Sequence, residues 1–229
     1  MKFSKIKKTD KLVKVLKSLD ITDKDFLSSG CTATVFKKNN QAVKVCGKDI
    51  RYFSGYKGNA QSFKKHVNSL GHIFLPINEI LHEESDFFIY TQDLCQPLEK
   101  SQIDKKIVAE FLQLFKSMIE KNCMVSGLSP GNLCLYNGQV LIYDYHGLHP
   151  LDDLKSSRVA RNLVKYMTMA YCPKKFHDHK VIMANFDKKS INKLNHLPSS
   201  FIDLLKVMLN NKLSINNLTN AIDRCIENL

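Results

Sequence analysis

The chain has 229 residues, of which 44% are hydrophobic and 24% charged, and its formal net charge is +12. This balance is typical of globular domains and excludes disorder over the whole length. No run of about 18 apolar residues occurs, so we expect no transmembrane segment. The seven cysteines form no C-x-x-C pair, and no apolar stretch follows the basic start. We therefore expect a cytoplasmic protein without a disulfide framework.

The positive charge comes mainly from lysines that are spread along the chain, with arginine only at four positions: Arg51, Arg158, Arg161 and Arg224. Dispersed lysine is typical of a solvated surface, whereas nucleic-acid readers depend on arginine and stacked aromatic residues. We therefore do not expect nucleic acid as a partner. A basic adaptor for nucleic acid or for a membrane surface is kept as an alternative.

Residues 1–25 are predicted to form a basic N-terminal helix. Apolar residues share one helical face, with lysines on the other: Ile6, Leu12, Val13, Leu16 and Leu19. Two interpretations remain open at this point. The helix lies on a membrane or a partner, or it packs on the body of the protein.

Residues 26–95 are predicted to form a β-rich part with one helix. Two short strands flank a turn at residues 38–40, and a helix follows that ends near Gly71. Residues 77–94 are predicted to form a hairpin around residues 83–86.

Residues 96–229 are mainly helical in pattern. Helices are predicted over residues 103–122 and 152–170, and two more close the chain, with Ser214 and Asn216 as N-cap residues. A single β-hairpin is predicted between the first two helices, because LCLY and QVLIYDY flank an Asn-Gly turn.

Three separated segments carry candidate chemistry. LSSGCTATVF has small residues between two strands, which allows backbone N–H groups to approach phosphates. Lys44 follows on the next strand and suits the phosphates of a nucleotide. Asn132 and Asp144 lie at the two ends of the predicted hairpin and offer oxygen ligands for Mg²⁺.

In their order, these segments resemble the motifs of the protein-kinase-like superfamily. The resemblance implies an α+β fold with two lobes, a small β-rich N-lobe and a mainly helical C-lobe, and it implies ATP and Mg²⁺ as cofactors. It assigns metal binding to Asn132 and Asp144. It places a hinge at residues 91–95 and assigns nucleotide contacts to Ser28, Gly30, Ala33, Val35, Ala42, Lys44, Gln92 and Leu94.

A closer resemblance is to small atypical branches. The segment VSGLSPGN aligns without gaps with H-G-D-L-H-P-G-N of aminoglycoside and choline kinases. Leu128, Pro130, Gly131 and Asn132 match that pattern. The surrounding sequence is also similar to the bacterial YrbL family and, more loosely, to kinases of lipopolysaccharide-core sugars. The resemblance extends over residues 26–170.

The departures from the family pattern concern catalysis. Gly127 stands where the family has the catalytic Asp that accepts the proton of the attacking hydroxyl, and Val125 replaces the preceding His. No Asp or Glu occurs between Arg51 and Asn78, where a partner for Lys44 is expected. The glycine loop keeps one of three glycines, and Gly147 is displaced by one residue from the usual position after the metal-binding Asp.

These departures favour a pseudokinase, or a strongly impaired phosphotransferase, that binds Mg-ATP and acts through regulation or binding. The alternative is an active atypical phosphotransferase for an unknown small-molecule, sugar or protein acceptor, with Asp152 or Asp153 as a substitute base.

Other candidates have two interpretations each. The segment from His177 to His179 contains a metal ligand pattern or only polar surface. Arg158 and Arg161 bind an anionic acceptor or hold their helix in place. Cys123 and Cys134 are expected to be buried, inert thiols.

Overall fold

The computed structural model describes residues 9–30, 33–47, 59–125, 128, 130–145, 148–150, 156–171, 191, 194, 196–209 and 214–229. The chain divides into two compact units, residues 1–96 and 97–229. Within the described ranges, no helix has the length and apolar character needed to cross a lipid bilayer.

The N-terminal unit is built on a five-stranded antiparallel sheet in the order β1-β2-β3-β5-β4. Its strands are β1 (Phe26–Ser29), β2 (Ala33–Lys38), β3 (Gln41–Gly47), β4 (Glu79–Glu83) and β5 (Phe87–Asp93). The turn between β2 and β3 falls where the sequence predicted it. Asn39 and Asn40 both have positive φ there, at 48° and 62°, a conformation that Asn tolerates better than most residues and that two-residue hairpin turns require.

The first helix, α1 (Asp10–Ser18), packs on one face of this sheet. Leu12 and Leu16 are buried in a cluster with strand residues that include Val43 and Val45. Thr9 caps the helix by accepting the Leu12 amide. The interpretation of a helix packed on the body of the protein is therefore confirmed, and the helix belongs to the core of the N-terminal unit.

The second helix, α2 (Ala60–Ser69), contacts the opposite face of the sheet. Phe63 packs edge-on against Phe88 of β5. The residues on either side of Phe88 in β5 point toward α1. Because side chains alternate between the two faces of a strand, Phe88 points to the other face. The Ala60 amide donates to the Glu83 carboxylate at 3.0 Å. Asn68 forms a pair of hydrogen bonds with the backbone of Ile77. These polar contacts tie both ends of α2 to the region of β4.

Four helices make up most of the described C-terminal unit: α3 (Lys105–Glu120), α4 (Ser156–Tyr171), α5 (Ser199–Met208) and α6 (Ile215–Glu227). Helix α3 is central because it contacts both α4 and α6, and eight of its apolar residues are buried. Ser214 caps α6 as predicted, by accepting the Asn217 amide. The prediction of Asn216 as a cap is wrong, because the helix already includes it.

The described part of this unit also contains four short strands: β6 (Cys123–Val125), β7 (Leu133–Tyr136), β8 (Gln139–Ile142) and β9 (Leu148–Pro150). Strands β7 and β8 form the predicted hairpin around Asn137 and Gly138. The prediction of a single hairpin was incomplete, because β6 also pairs with β9. Three-residue strands are too short to show alternation, and their partners are distant in sequence.

Candidate functional site

The strand residues that the resemblance assigned to nucleotide contact share one face of the sheet. Val35 lies opposite Lys44 across β2 and β3, and Ala42 lies opposite Gln92 across β3 and β5. Residues that are directly opposite in an antiparallel pair point to the same face, and alternate residues of a strand do so as well. Val35, Ala42, Lys44 and Gln92 therefore lie on the face opposite α1. Ser28, which is opposite Val35 in β1, joins them.

Lys44 is nearly buried, with 6% of its surface exposed, and lies opposite Tyr90 on β5. Tyr90 stacks on Phe88 with 5.7 Å between ring centroids, and Phe88 contacts Phe63 of α2. A row of aromatic rings thus runs from the strand position beside Lys44 to α2. Because charges interact more strongly where water is scarce, a cation at this depth suits contact with an anionic group.

The loop between β1 and β2 departs from the predicted phosphate cradle in one respect. The Gly30 N–H donates to the Ala33 carbonyl at 2.9 Å, so this donor is already used within the loop. Gly30 does not have positive φ, and within the described part of the chain an added Cβ would meet only the Ala33 carbonyl, at 3.9 Å. The backbone conformation at position 30 therefore does not require glycine. Cys31 and Thr32, at the tip of the loop, lie outside the described residues.

The segment predicted as a hinge begins inside β5. Gln92 is fully buried, and its side-chain amide donates to the Leu75 carbonyl at 3.0 Å. This side chain therefore holds the segment after α2 against β5. Leu94 is half-buried and follows the strand.

The two predicted metal ligands lie at the open end of the β7–β8 hairpin. The Asn132 carbonyl accepts the Tyr143 amide at 3.2 Å, which extends the hairpin register by one residue beyond Leu133 and Ile142. Asp144 follows immediately, and the Asn132 and Asp144 side chains are both half-buried. The hairpin thus brings the two residues to the same end, as the spacing predicted.

The chemistry of this pair fits Mg²⁺, which takes oxygen ligands and keeps several waters or substrate phosphates in its shell. One amide oxygen and one carboxylate make an incomplete protein shell of that kind. Among the described residues, no three His, Cys, Asp or Glu side chains come together as a metal cluster. The pair therefore fits a cation shared with a ligand better than a closed structural metal site.

Residues that sequence reasoning missed hold the loop before the hairpin. Leu128 is buried, and the Tyr166 hydroxyl of α4 donates to its carbonyl at 3.3 Å. The Tyr166 ring stacks on Phe111 of α3, with 4.1 Å between centroids. Burial raises the pKa of Tyr166, so the hydroxyl stays protonated and remains a donor. In the sequence, Tyr166 falls on the apolar face of a helix like a core residue, and only its hydroxyl group distinguishes it from its apolar neighbours.

Among the described residues at the family's catalytic positions, none is a general base. Gly127 lies outside the described residues. Val125, at the position of the family His, is buried in β6 and pairs with Leu148, so it belongs to the core. Helix α2 contains no acidic residue, and its Ala60 amide donates to the carboxylate of Glu83 in β4.

The other candidates divide between buried residues and residues that are not described. Cys123 and Cys134 are buried, as expected, and burial raises the pKa of Cys123 to about 11, which keeps the thiol protonated. Arg158 and Arg161 belong to α4, but their side chains lie outside the described part. Asp152, Asp153 and residues 177–179 also lie outside the described residues.

Comparison with known proteins finds solved structures with a similar fold but no protein with a matching sequence. No family model matches the chain, and no curated protein matches it. Among solved structures, the chain is similar to the structure of vaccinia related kinase 3, with a TM-score of 0.56 and 11% identity over 89% of this chain and 87% of that chain. At this identity the similarity shows the fold alone: the protein has a protein-kinase-like fold.

Proposed function

We propose that the protein is a pseudokinase, or a strongly impaired phosphotransferase, that binds a magnesium nucleotide and acts through binding or regulation. Within the fold, we propose the small atypical branch as the type that the chain resembles, because of its LSPGN segment. Similarity in fold does not establish an activity, so the proposal depends on particular residues.

The observation that carries the proposal is the strand register around Lys44. Within the N-terminal unit, this register collects Val35, Ala42 and a nearly buried Lys44 on a single face. Lysine is seldom buried to this degree, so the position of Lys44 on this face carries more weight than an exposed lysine would. We propose that the ammonium group contacts the phosphates of the nucleotide.

In the C-terminal unit, we propose Asn132 and Asp144 as the protein ligands of Mg²⁺. Both stand at one end of the β7–β8 hairpin and supply the oxygen atoms that this cation prefers. When bound, the cation neutralises charge on the phosphates. Tyr143 and Leu133 fix the hairpin end through backbone hydrogen bonds, so the ligands are held on a rigid element.

The impairment follows from Gly127, which has no group that accepts a proton. A positioned general base contributes about 10² to 10⁴ to the rate of proton-transfer chemistry. Phosphoryl transfer otherwise depends on positioning and electrostatic stabilisation, which need the lysine and the metal ligands. Binding is therefore expected to survive where most of the turnover is lost.

The test measures nucleotide binding with and without Mg²⁺ by calorimetry and thermal shift. Lys44→Ala is expected to weaken ATP binding by at least about tenfold, since hydrogen bonds to charged groups contribute about 1.5–3 kcal/mol. Lys37→Ala is the matched control, because Lys37 lies opposite Ala42 on the same sheet face but is exposed. Asp144→Asn is expected to remove the dependence on Mg²⁺, and the exposed Asp203→Asn serves as its control.

Three outcomes separate the candidate functions. If no nucleotide shifts the melting temperature with or without Mg²⁺, the binding proposal is wrong. Sustained ATP turnover by the wild type that disappears in Asp144→Asn would establish an active phosphotransferase instead. Gly127→Asp tests the missing base directly. If the scaffold is intact, the turnover rate is expected to rise by up to about 10²- to 10⁴-fold, which is the contribution of a general base.

A further inference from the structure

The segment that carries Asn132 is held mainly through its backbone carbonyl groups. Four carbonyls between residues 128 and 133 accept hydrogen bonds from elsewhere in the C-terminal unit. Tyr166 donates to Leu128, the Tyr143 hydroxyl donates to Gly131, and the Tyr143 amide donates to Asn132. The Leu98 amide donates to the Leu133 carbonyl at 2.8 Å.

Two of these donors are tyrosine hydroxyl groups, and each reaches the segment from a different element. Tyr143 follows β8 and directly precedes Asp144, whereas Tyr166 lies in α4. Tyr166 is buried and stacked on Phe111, so its hydroxyl has little freedom to move. The two hydroxyls therefore contact the segment just before its 3₁₀ turn, Pro130–Asn132, and within that turn.

Glycine at position 131 is not what shapes this turn. Among the described residues, an added Cβ there would meet nothing within 4 Å, and the φ of Gly131 is not in the left-handed region. The hydrogen bond uses only the carbonyl, which every residue type has. The side chain of Tyr143 is thus the specific element of the contact.

We propose that Tyr143 and Tyr166 are positioning residues for the metal ligand Asn132. This inference rests on the proposed function, because it assumes that Asn132 and Asp144 bind a divalent cation. Tyr143 is linked to both ligands. Its amide and its hydroxyl contact the segment that carries Asn132, and Asp144 is the next residue in the chain. One residue thereby couples the orientations of both ligands. Groups that orient metal ligands typically contribute about 10- to 100-fold to metal affinity.

The experiment titrates Mn²⁺ into the full chain, without and with ATP, and follows free Mn²⁺ by electron paramagnetic resonance against a titration of ATP alone. Mn²⁺ accepts the oxygen ligands that suit Mg²⁺ and gives a direct reading of binding. Tyr143→Phe and Tyr166→Phe each remove one hydroxyl and keep the ring. Each is expected to weaken Mn²⁺ binding by about 10- to 100-fold, and Asp144→Asn to abolish it.

Tyr171→Phe is the matched control. Tyr171 is in α4 with Tyr166, but its hydroxyl donates to the Leu229 carbonyl and its ring lies under Lys105. It should bind Mn²⁺ like the wild type. Gly131→Ala keeps the carbonyl and adds a Cβ that meets no described atom within 4 Å, so it should also bind Mn²⁺ like the wild type.

A tyrosine with a purely structural role would lower the melting temperature and leave Mn²⁺ affinity unchanged, and that result would overturn the proposal for that tyrosine. Amide hydrogen exchange at residues 131–133 supplies an independent reading. Faster exchange there in Tyr143→Phe, with unchanged exchange in α3, supports the positioning role. If the wild type binds no Mn²⁺ either without or with ATP, the metal part of the proposed function fails, and unchanged exchange in both variants would separately show that the hydroxyls do not hold the segment.

Discussion

Leu12→Ala tests whether α1 is a structural part of the N-terminal unit. The Leu12 side chain is fully buried between α1 and the sheet, against residues such as Val43 and Phe87. The substitution removes three buried carbon atoms, which at about 0.8 kcal/mol each correspond to roughly 2.4 kcal/mol of transfer free energy. The cavity that remains adds to this loss, and measured Leu→Ala costs lie at about 2–5 kcal/mol. We therefore expect the free energy of unfolding to fall by about 3 kcal/mol.

The assay is urea unfolding followed by circular dichroism, with Lys14→Ala as the control. Lys14 lies on the same helix but is exposed, so its replacement should change stability by no more than about 0.5 kcal/mol. Alanine and leucine have similar helix propensities, which confines the expected difference to packing. A loss below about 1 kcal/mol for Leu12→Ala would refute the reasoning, and α1 would then be available for a surface or partner.

Three further predictions concern the C-terminal unit. Ser214→Ala should cost about 1 kcal/mol in urea unfolding, because the Ser214 side chain caps α6. Asp223→Asn should cost less than about 1 kcal/mol, and less again in high salt, because the ion pair with Lys116 is partly exposed. Alkylation of Cys123 in the native protein at pH 8, followed by mass spectrometry, should run about a hundredfold slower than for a thiol of ordinary pKa, because burial raises its pKa to about 11 and only the thiolate reacts. The alkylation rate should rise with pH, and a fast reaction at pH 8 would contradict the burial.

Local sequence patterns were sufficient for most of the secondary structure. The Asn39-Asn40 and Asn137-Gly138 turns were predictable because both pairs tolerate the positive φ that tight hairpins need. The Ser214 cap was predictable from side-chain chemistry at one helix end. The neighbouring Asn216 has similar chemistry, and only the observed start of α6 excludes it.

The pairing of β6 with β9 could not be predicted in the same way. It joins residues 123–125 to residues 148–150, and the loop and hairpin between them carry stronger local patterns. The role of Tyr166 was equally hidden, since its hydroxyl reaches the Leu128 carbonyl across 38 positions of sequence. Long-range contacts of this kind depend on how helices pack, which periodicity does not encode.

By itself, the sequence determined which residue types are present for chemistry: a strand lysine, an amide and a carboxylate around a hairpin, and a glycine where a base is expected. Those are properties of side chains and short spacings. Only the tertiary structure decided that Val35, Ala42 and Lys44 share a sheet face, and that α1 covers the other face. Strand register and helix packing decide this, because they depend on the burial of apolar surface from many distant residues at once.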